Sequence, residues 1–244
     1  MGSKELLNEF TLLYNNINSN AAPGLESFEI SQLLTKAQGE KISNAFNPEG
    51  NKYKEGFDDS IKRQHDFSTI IKVQTLKSVS PTTKIDSRSL AFTPPDDLLF
   101  PINEILYIGD KVIQVFPISY NEYTLKSMKP YNEPYKRSAW RLVGLDGNIE
   151  VIPAYNDRKL ITSDNTSYKM RYVKKPKPIL LEDYTADGYS IEGVTGGTGY
   201  DFKSPCELPD SMQHEIVQRA VELAKAAYQP EEAQIQTQMG TRSE

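Results

Sequence analysis

The sequence is poor in the residues that most often carry chemistry. Cys206 is its only cysteine, and His65 and His214 are its only histidines. An internal disulfide and a cysteine zinc site are therefore excluded. No run approaches 18 apolar residues and no apolar stretch of signal-peptide type follows the start, so the expectation is a chain with neither a membrane-spanning helix nor a secretory signal. The opening MGSKEL carries the glycine of a myristoylation motif but has Leu6 where serine or threonine is required. Neither half of the chain is strongly basic. The 28 basic and 33 acidic residues leave a net −5, so a duplex nucleic-acid binder's electrostatic footprint is missing. What remains is ordinary: 244 residues, 38% hydrophobic and 25% charged, enough for a sizeable core in one domain or two.

Catalytic and ligand-binding motifs fail on spacing. GVTGGTG, Gly193 to Gly199, lacks the Lys-Ser or Lys-Thr of a phosphate loop, and no helical pattern follows it. His214 and Glu215 begin an HE pair with no second histidine four positions after the first. Asp96 and Asp97 are paired carboxylates after two prolines. They would serve acid-base work or a metal only with further carboxylates converging on them, and otherwise shape a turn. Cys206 precedes a helix start but has no basic neighbour in sequence to hold a thiolate. Asn165 opens an Asn-Thr-Ser sequon whose use requires a secretory route. No cofactor or metal is expected.

Periodicity organises the chain ends. Leu6, Phe10, Leu13 and Ile17 recur at helical spacing, which predicts a helix from Ser3 to Ile17. A second helix is expected from Glu26 or Ser27, with Ile30, Leu33, Leu34, Ala37 and Ile42 inward and Gly39 as a weak point. A third is expected from Phe57 to about Lys77. The strongest helix, Pro209 to Tyr228, places Met212, Ile216, Val217, Ala220, Val221, Ala224 and Ala227 along one side, with Asp210 as cap and Gln213 completing a capping box.

From Ser78 the texture changes to prolines, turn-formers and strand patterns. Gly109–Asp110 and Asp146–Gly147 each separate two apolar runs and predict hairpins. In Thr166–Val173, Tyr168, Met170 and Tyr172 alternate with Lys169 and Arg171, giving one apolar and one basic face. The region from Leu90 to Leu181 has room for about five or six strands. The fold class is therefore α+β: a helical bundle formed by the N-terminal helices and the C-terminal helix, interrupted by an antiparallel β-rich insertion. The expected divisions are 1–80 with 206–229 for the bundle, 81–205 for the insertion with its glycine-rich loop, and 230–244 for a tail that is flexible or ordered by a partner.

Interaction surfaces are the remaining signal. Tyr120, Tyr123, Tyr131 and Tyr135 cluster in a stretch from Ser119 to Ser138 rich in lysine, glutamate and proline, which reads as a surface loop. Tyrosine buries a large area while keeping a polar tip, so it suits subunit contact. Arg171, Lys174, Lys175 and Lys177 gather at the exit of one strand. They fit either a nucleic-acid contact or a solvated strand edge protected by lysine and proline. Gly196, Gly197 and Tyr200 complete the candidate interface as an assembly loop.

Leu6 to Gln38, LLNEFTLLYNNINSNAAPGLESFEISQLLTKAQ, and Glu207 to Tyr228, ELPDSMQHEIVQRAVELAKAAY, resemble the two ends of the neck or collar ring proteins of crAss-like short-tailed bacteriophages. More distantly they are similar to the head-to-tail connector, or tail-tubular A-like, proteins of podoviruses. The close match covers about a quarter of the chain, while the order of elements agrees over most of it. The resemblance implies a non-enzymatic virion protein forming a homo-oligomeric ring, twelvefold in such families, that joins the portal to adjacent neck or tail rings. It implies only transient, non-specific contact with packaged DNA, and no membrane partner. Two competitors remain: a nucleic-acid-binding accessory protein using the 171–177 patch, and a virion-associated hydrolase using Asp96 and Asp97.

Overall fold

The computed structural model describes residues 1–15, 24–46, 61–80, 84–129, 132–135, 137–144, 146–154, 165–182 and 205–228. Its helices are α1 (Ser3–Asn15), α2 (Ser27–Phe46), α3 (Ile61–Asp66), α4 (Tyr120–Ser127) and α5 (Asp210–Tyr228). Its strands are β1 (Ile71–Leu76), β2 (Ser78–Val79), β3 (Leu90–Phe92), β4 (Leu98–Ile108), β5 (Lys111–Pro117), β6 (Ser138–Val143), β7 (Ile149–Pro153) and β8 (Thr166–Lys174). The chain divides into two compact units, a helical one of Met1–Ile70 with Pro176–Glu244 and a β one of Ile71–Lys175.

In the helical unit α5 packs on both α1 and α2. The buried positions follow the helical period: Leu6, Phe10 and Tyr14 on α1, Ile30, Leu34, Ala37 and Ile42 on α2, and Met212, Ile216, Val217, Ala220, Val221 and Ala224 on α5. Alanines at 37, 220 and 224 let the backbones approach, as the composition of the last helix suggested; Ala227, by contrast, faces outward. α2 runs through Gly39 without interruption. The segment returning from β8 is clipped to α2, where Ile179 N donates to Thr35 Oγ1 at 3.0 Å and Leu181 N to Ser31 Oγ at 3.2 Å. Hydroxyls on the helix thus satisfy backbone donors buried with Ile179, Leu180 and Leu181.

Two helical expectations are corrected. The start of α5 has no capping box. The Pro209 carbonyl accepts from Met212 and Gln213 N, so Asp210 is already helical rather than a cap. Its carboxylate instead meets the Met1 ammonium at 2.8 Å, and the Gln213 amide donates to Leu208 O at 2.6 Å. The third helix is also far shorter than expected. α3 ends at Asp66, a single 3-10 turn spans Ser68–Ile70, and β1 begins at Ile71. Val73 and Thr75 are β-branched and alternate with Lys72 and Gln74, a pattern that favours a pleated strand over a helix.

The β unit is one eight-stranded sheet ordered β1-β8-β4-β5-β6-β7-β3-β2. All pairings are antiparallel except β5 with β6, which is parallel because α4 and its following turns form the crossover between them. Both expected hairpins are present, and Gly109 (φ 57°) and Gly147 (φ 75°) supply the left-handed backbone their turns require. A single extended segment, Ile71–Val79, pairs with β8 through its first half and with β3 through its second. The sheet therefore curls on itself around Leu76, Phe92, Leu106, Ile108, Ile113, Val115, Ala139, Ile149, Val151, Tyr168, Met170 and Tyr172. Six of its strands fall in the region where five or six were expected, and β1 and β2 precede it.

Candidate subunit interface

β8 sets the geometry of one open surface. Tyr168, Met170 and Tyr172 are fully buried on its inner side, which leaves Lys169 and Arg171 on the outer side. Strand register carries that face across four strands. Thr75, Lys169, Ile105 and Gln114 lie side by side in one row, and Val73, Arg171 and Asn103 in the next. Tyr107 and Val112 pair on the same face, joined by Phe116 one pleat further along β5. Val73, Val112 and Phe116 are 57%, 53% and 45% exposed, so this is a partly apolar surface open to solvent. The only acidic residue in β1, β8, β4 and β5 is Glu104, which points inward. The face is therefore cationic and apolar together.

A second surface is built by α4, where the sequence suggested a loop. Ser119 caps the helix, its hydroxyl accepting from Glu122 N at 3.2 Å. Tyr123 is anchored, its hydroxyl donating to Asp86 Oδ2 at 3.0 Å. Lys126 Nζ stands 5.7 Å from the centre of the Trp140 ring on β6. Tyr120, Leu125, Met128 and Tyr135 remain well exposed.

The loop beside α4 is held by two carboxylates. Glu150 on β7 is 1% exposed and accepts from Ile85 N at 2.9 Å, Asp86 N at 3.4 Å and Ser89 Oγ at 2.7 Å. Asp86 forms a fork with Arg88, whose Nη1 reaches Glu133 at 3.0 Å. Burial alone would raise the Asp86 carboxyl, but hydrogen bonds from Arg88 and then Tyr123 outweigh it and bring the group to about 2. Apart from Tyr123, none of these residues was singled out in sequence. A lone glutamate in the otherwise apolar run IEVIP was the available signal.

The remaining candidates are structural. Asp97 accepts from Lys72 Nζ at 2.6 Å and from the Tyr172 hydroxyl at 2.7 Å, and those partners hold its carboxyl below the usual range. With Asp96 it forms a turn at an open cavity of about 600 Å3, lined also by Thr75, Lys77, Thr93 and Pro95. Among the described residues, no third carboxylate lines it. Glu104 lies 3.2 Å from Arg141 Nε inside the sheet, and burial pushes its carboxyl up. Cys206 is buried and its thiol is raised to about 11. His214 Nδ1 lies 2.7 Å from Glu9. Among the described residues, no three histidine, cysteine or acidic side chains are grouped to hold a metal ion, and no helix is long and apolar enough to cross a membrane.

Residues 1–236 match the family described as phage tail ring protein 3/4. The chain belongs to that family. It is 45% identical over 249 residues to Ring protein 4/5 of Bacteroides phage crAss001, with all of both chains covered. It is 27% identical over 233 residues to Ring protein 3 of the same phage, covering 92% of this chain and 95% of the relative. As a phage tail ring protein it has a structural, non-enzymatic role in the virion, and Asp97's engagement with Lys72 and Tyr172 accords with that.

This ring protein does not gather its sequence-predicted contact residues into one site. Arg171 lies on the cationic sheet face, with Lys174 at the end of the same strand and Lys175 just beyond it, its N–H donating to Asp97 O at 2.7 Å. Because β8 lies between β1 and β4, the strand-edge reading of these cations is corrected. Tyr120, Tyr123 and Tyr135 belong to the α4 surface instead. Tyr131, Gly196, Gly197 and Tyr200 lie outside the described residues, as do the glycine-rich loop and the tail.

Proposed function

We propose that this protein is a ring-forming subunit of the head-to-tail neck, that copies assemble around the virion axis beside the portal and an adjacent ring, and that they surround the channel through which DNA passes. End-to-end coverage of a protein named Ring protein 4/5, at 45% identity, is the observation that carries the reading. A closed ring uses two different faces of each subunit, so that contacts close by rotation. Two compact units joined by two chain crossings give the subunit such distinct faces. Tyr120 and Tyr135 on the α4 surface, the Arg171–Lys175 strand exit and the Gly196–Tyr200 segment serve contacts within or between rings. The ring is twelvefold.

Absolute quantification of purified particles by mass spectrometry tests this. Twelve copies per particle, matching the count of portal subunits, are expected. Absence from particles, or hundreds of copies as in a capsid wall, would defeat the reading.

A further inference from the structure

The two units carry opposite charge. The β unit has 16 basic and 11 acidic residues, net +5, whereas the helical unit has 12 basic and 22 acidic, net −10. The positive unit presents the open sheet face described above, where Lys169 and Arg171 stand among Val73, Ile105, Val112 and Phe116 and no carboxylate of β1, β8, β4 or β5 shares the face. The negative unit carries an acidic excess on its helices. Arg219 is shared by Glu40 and Glu222, and Asp210 and Glu215, though paired with the Met1 ammonium and Lys41, remain 77% and 46% exposed. Resting on the ring-subunit reading, we infer that the outward face of β1, β8, β4 and β5 in one copy seats against the acidic helical unit of the next, forming the head-to-tail contact that closes the ring.

Three features favour a second copy as the occupant. Each copy supplies both halves of the charge match, so a single repeated contact uses them all. A twofold contact of β unit with β unit would bring like charges together. Packed DNA fits less well, because a phosphate surface calls for a dense set of cations, while on this face Lys169 and Arg171 are flanked by exposed aliphatic and aromatic side chains of the neighbouring strands. Those side chains are what a protein neighbour would bury, with the stems of Lys169 and Arg171 lying along them.

Zero-length carbodiimide cross-linking of intact particles reads the contact, since it joins a lysine only to a carboxylate it touches. The purified monomer serves as the control for links within one chain. The expected result is a link, absent from the monomer, between Lys169 and a carboxylate in residues 1–70 or 176–244 of the same protein. Any other outcome for Lys169 overturns the assignment: no link, a link to another virion protein, or shielding that ends when DNA is ejected. Complementation with Lys169→Glu combined with Arg171→Glu gives a second readout. Both sites lie on the outward face, so the subunit should keep its circular dichroism while its incorporation into particles falls at least tenfold. Unchanged incorporation would overturn the contact. Absence of the wild-type chain from particles would instead remove the ring reading itself.

Discussion

Glu150 shows how one buried charge shapes the α4 side of the β unit. Its carboxylate gathers backbone donors of Ile85 and Asp86 and the Ser89 hydroxyl, all from the loop that also carries the Asp86–Arg88 fork. Removing it leaves the Ile85 and Asp86 N–H groups without their acceptor, which costs about 1–3 kcal/mol each where water cannot replace it, while the Ser89 hydroxyl keeps Asp86 O at 2.8 Å. Glu150→Ala should therefore lower unfolding free energy by about 3 kcal/mol, read as a shift of the urea midpoint with an unchanged slope. Asp86 gives a pH signature. Its folded value of about 2 lies below the ordinary 3.8, so its contribution is present above pH 3.8 and is lost as pH falls through about 2. The difference in stability between the parent and Asp86→Asn, on the order of 2 kcal/mol at pH 6, should shrink toward zero near pH 2. A difference that stays constant over that range would show that the Arg88 fork does not set the Asp86 carboxyl.

At the level of elements, α1, α2 and α5 were legible because apolar spacing and packing agree, as were both hairpins, whose glycines answer a backbone need. β1 was hidden because the apolar spacing from Phe57 to Ile70 runs straight into IKVQTL, and only the β-branched Val73 and Thr75 mark the change. α4 was hidden behind tyrosine and proline, although Ser119 followed three residues later by Glu122 is a helix-start signature. The cationic face was half legible. Alternation within β8 separated Lys169 and Arg171 from the core, but only the register of β1, β4 and β5 shows that no acidic residue of those strands shares their face. Gly39 was flagged as a weak point and lies in an unbroken helix, with nothing within 4 Å of a built Cβ. Gly39→Ala should therefore raise stability by about 1 kcal/mol. Gly144→Ala, whose new methyl would meet Asn148 O at 2.9 Å, should lower it. Paired thermal melts of the two variants check both signs.

The whole molecule couples an acidic helical unit to a basic curled sheet in a chain that belongs to a phage ring family. Such a subunit acts through placement rather than chemistry. In the proposed ring its outward sheet face is the partner surface, and its net −5 disfavours lasting adhesion to DNA in the channel. Symmetry-resolved imaging of intact particles tests this account most directly. It should show twelve copies in one ring at the neck, with the β1-β8-β4-β5 face of each against the helical unit of its neighbour. A twofold dimer in the capsid wall, or a ring whose subunits meet β unit to β unit, would contradict it.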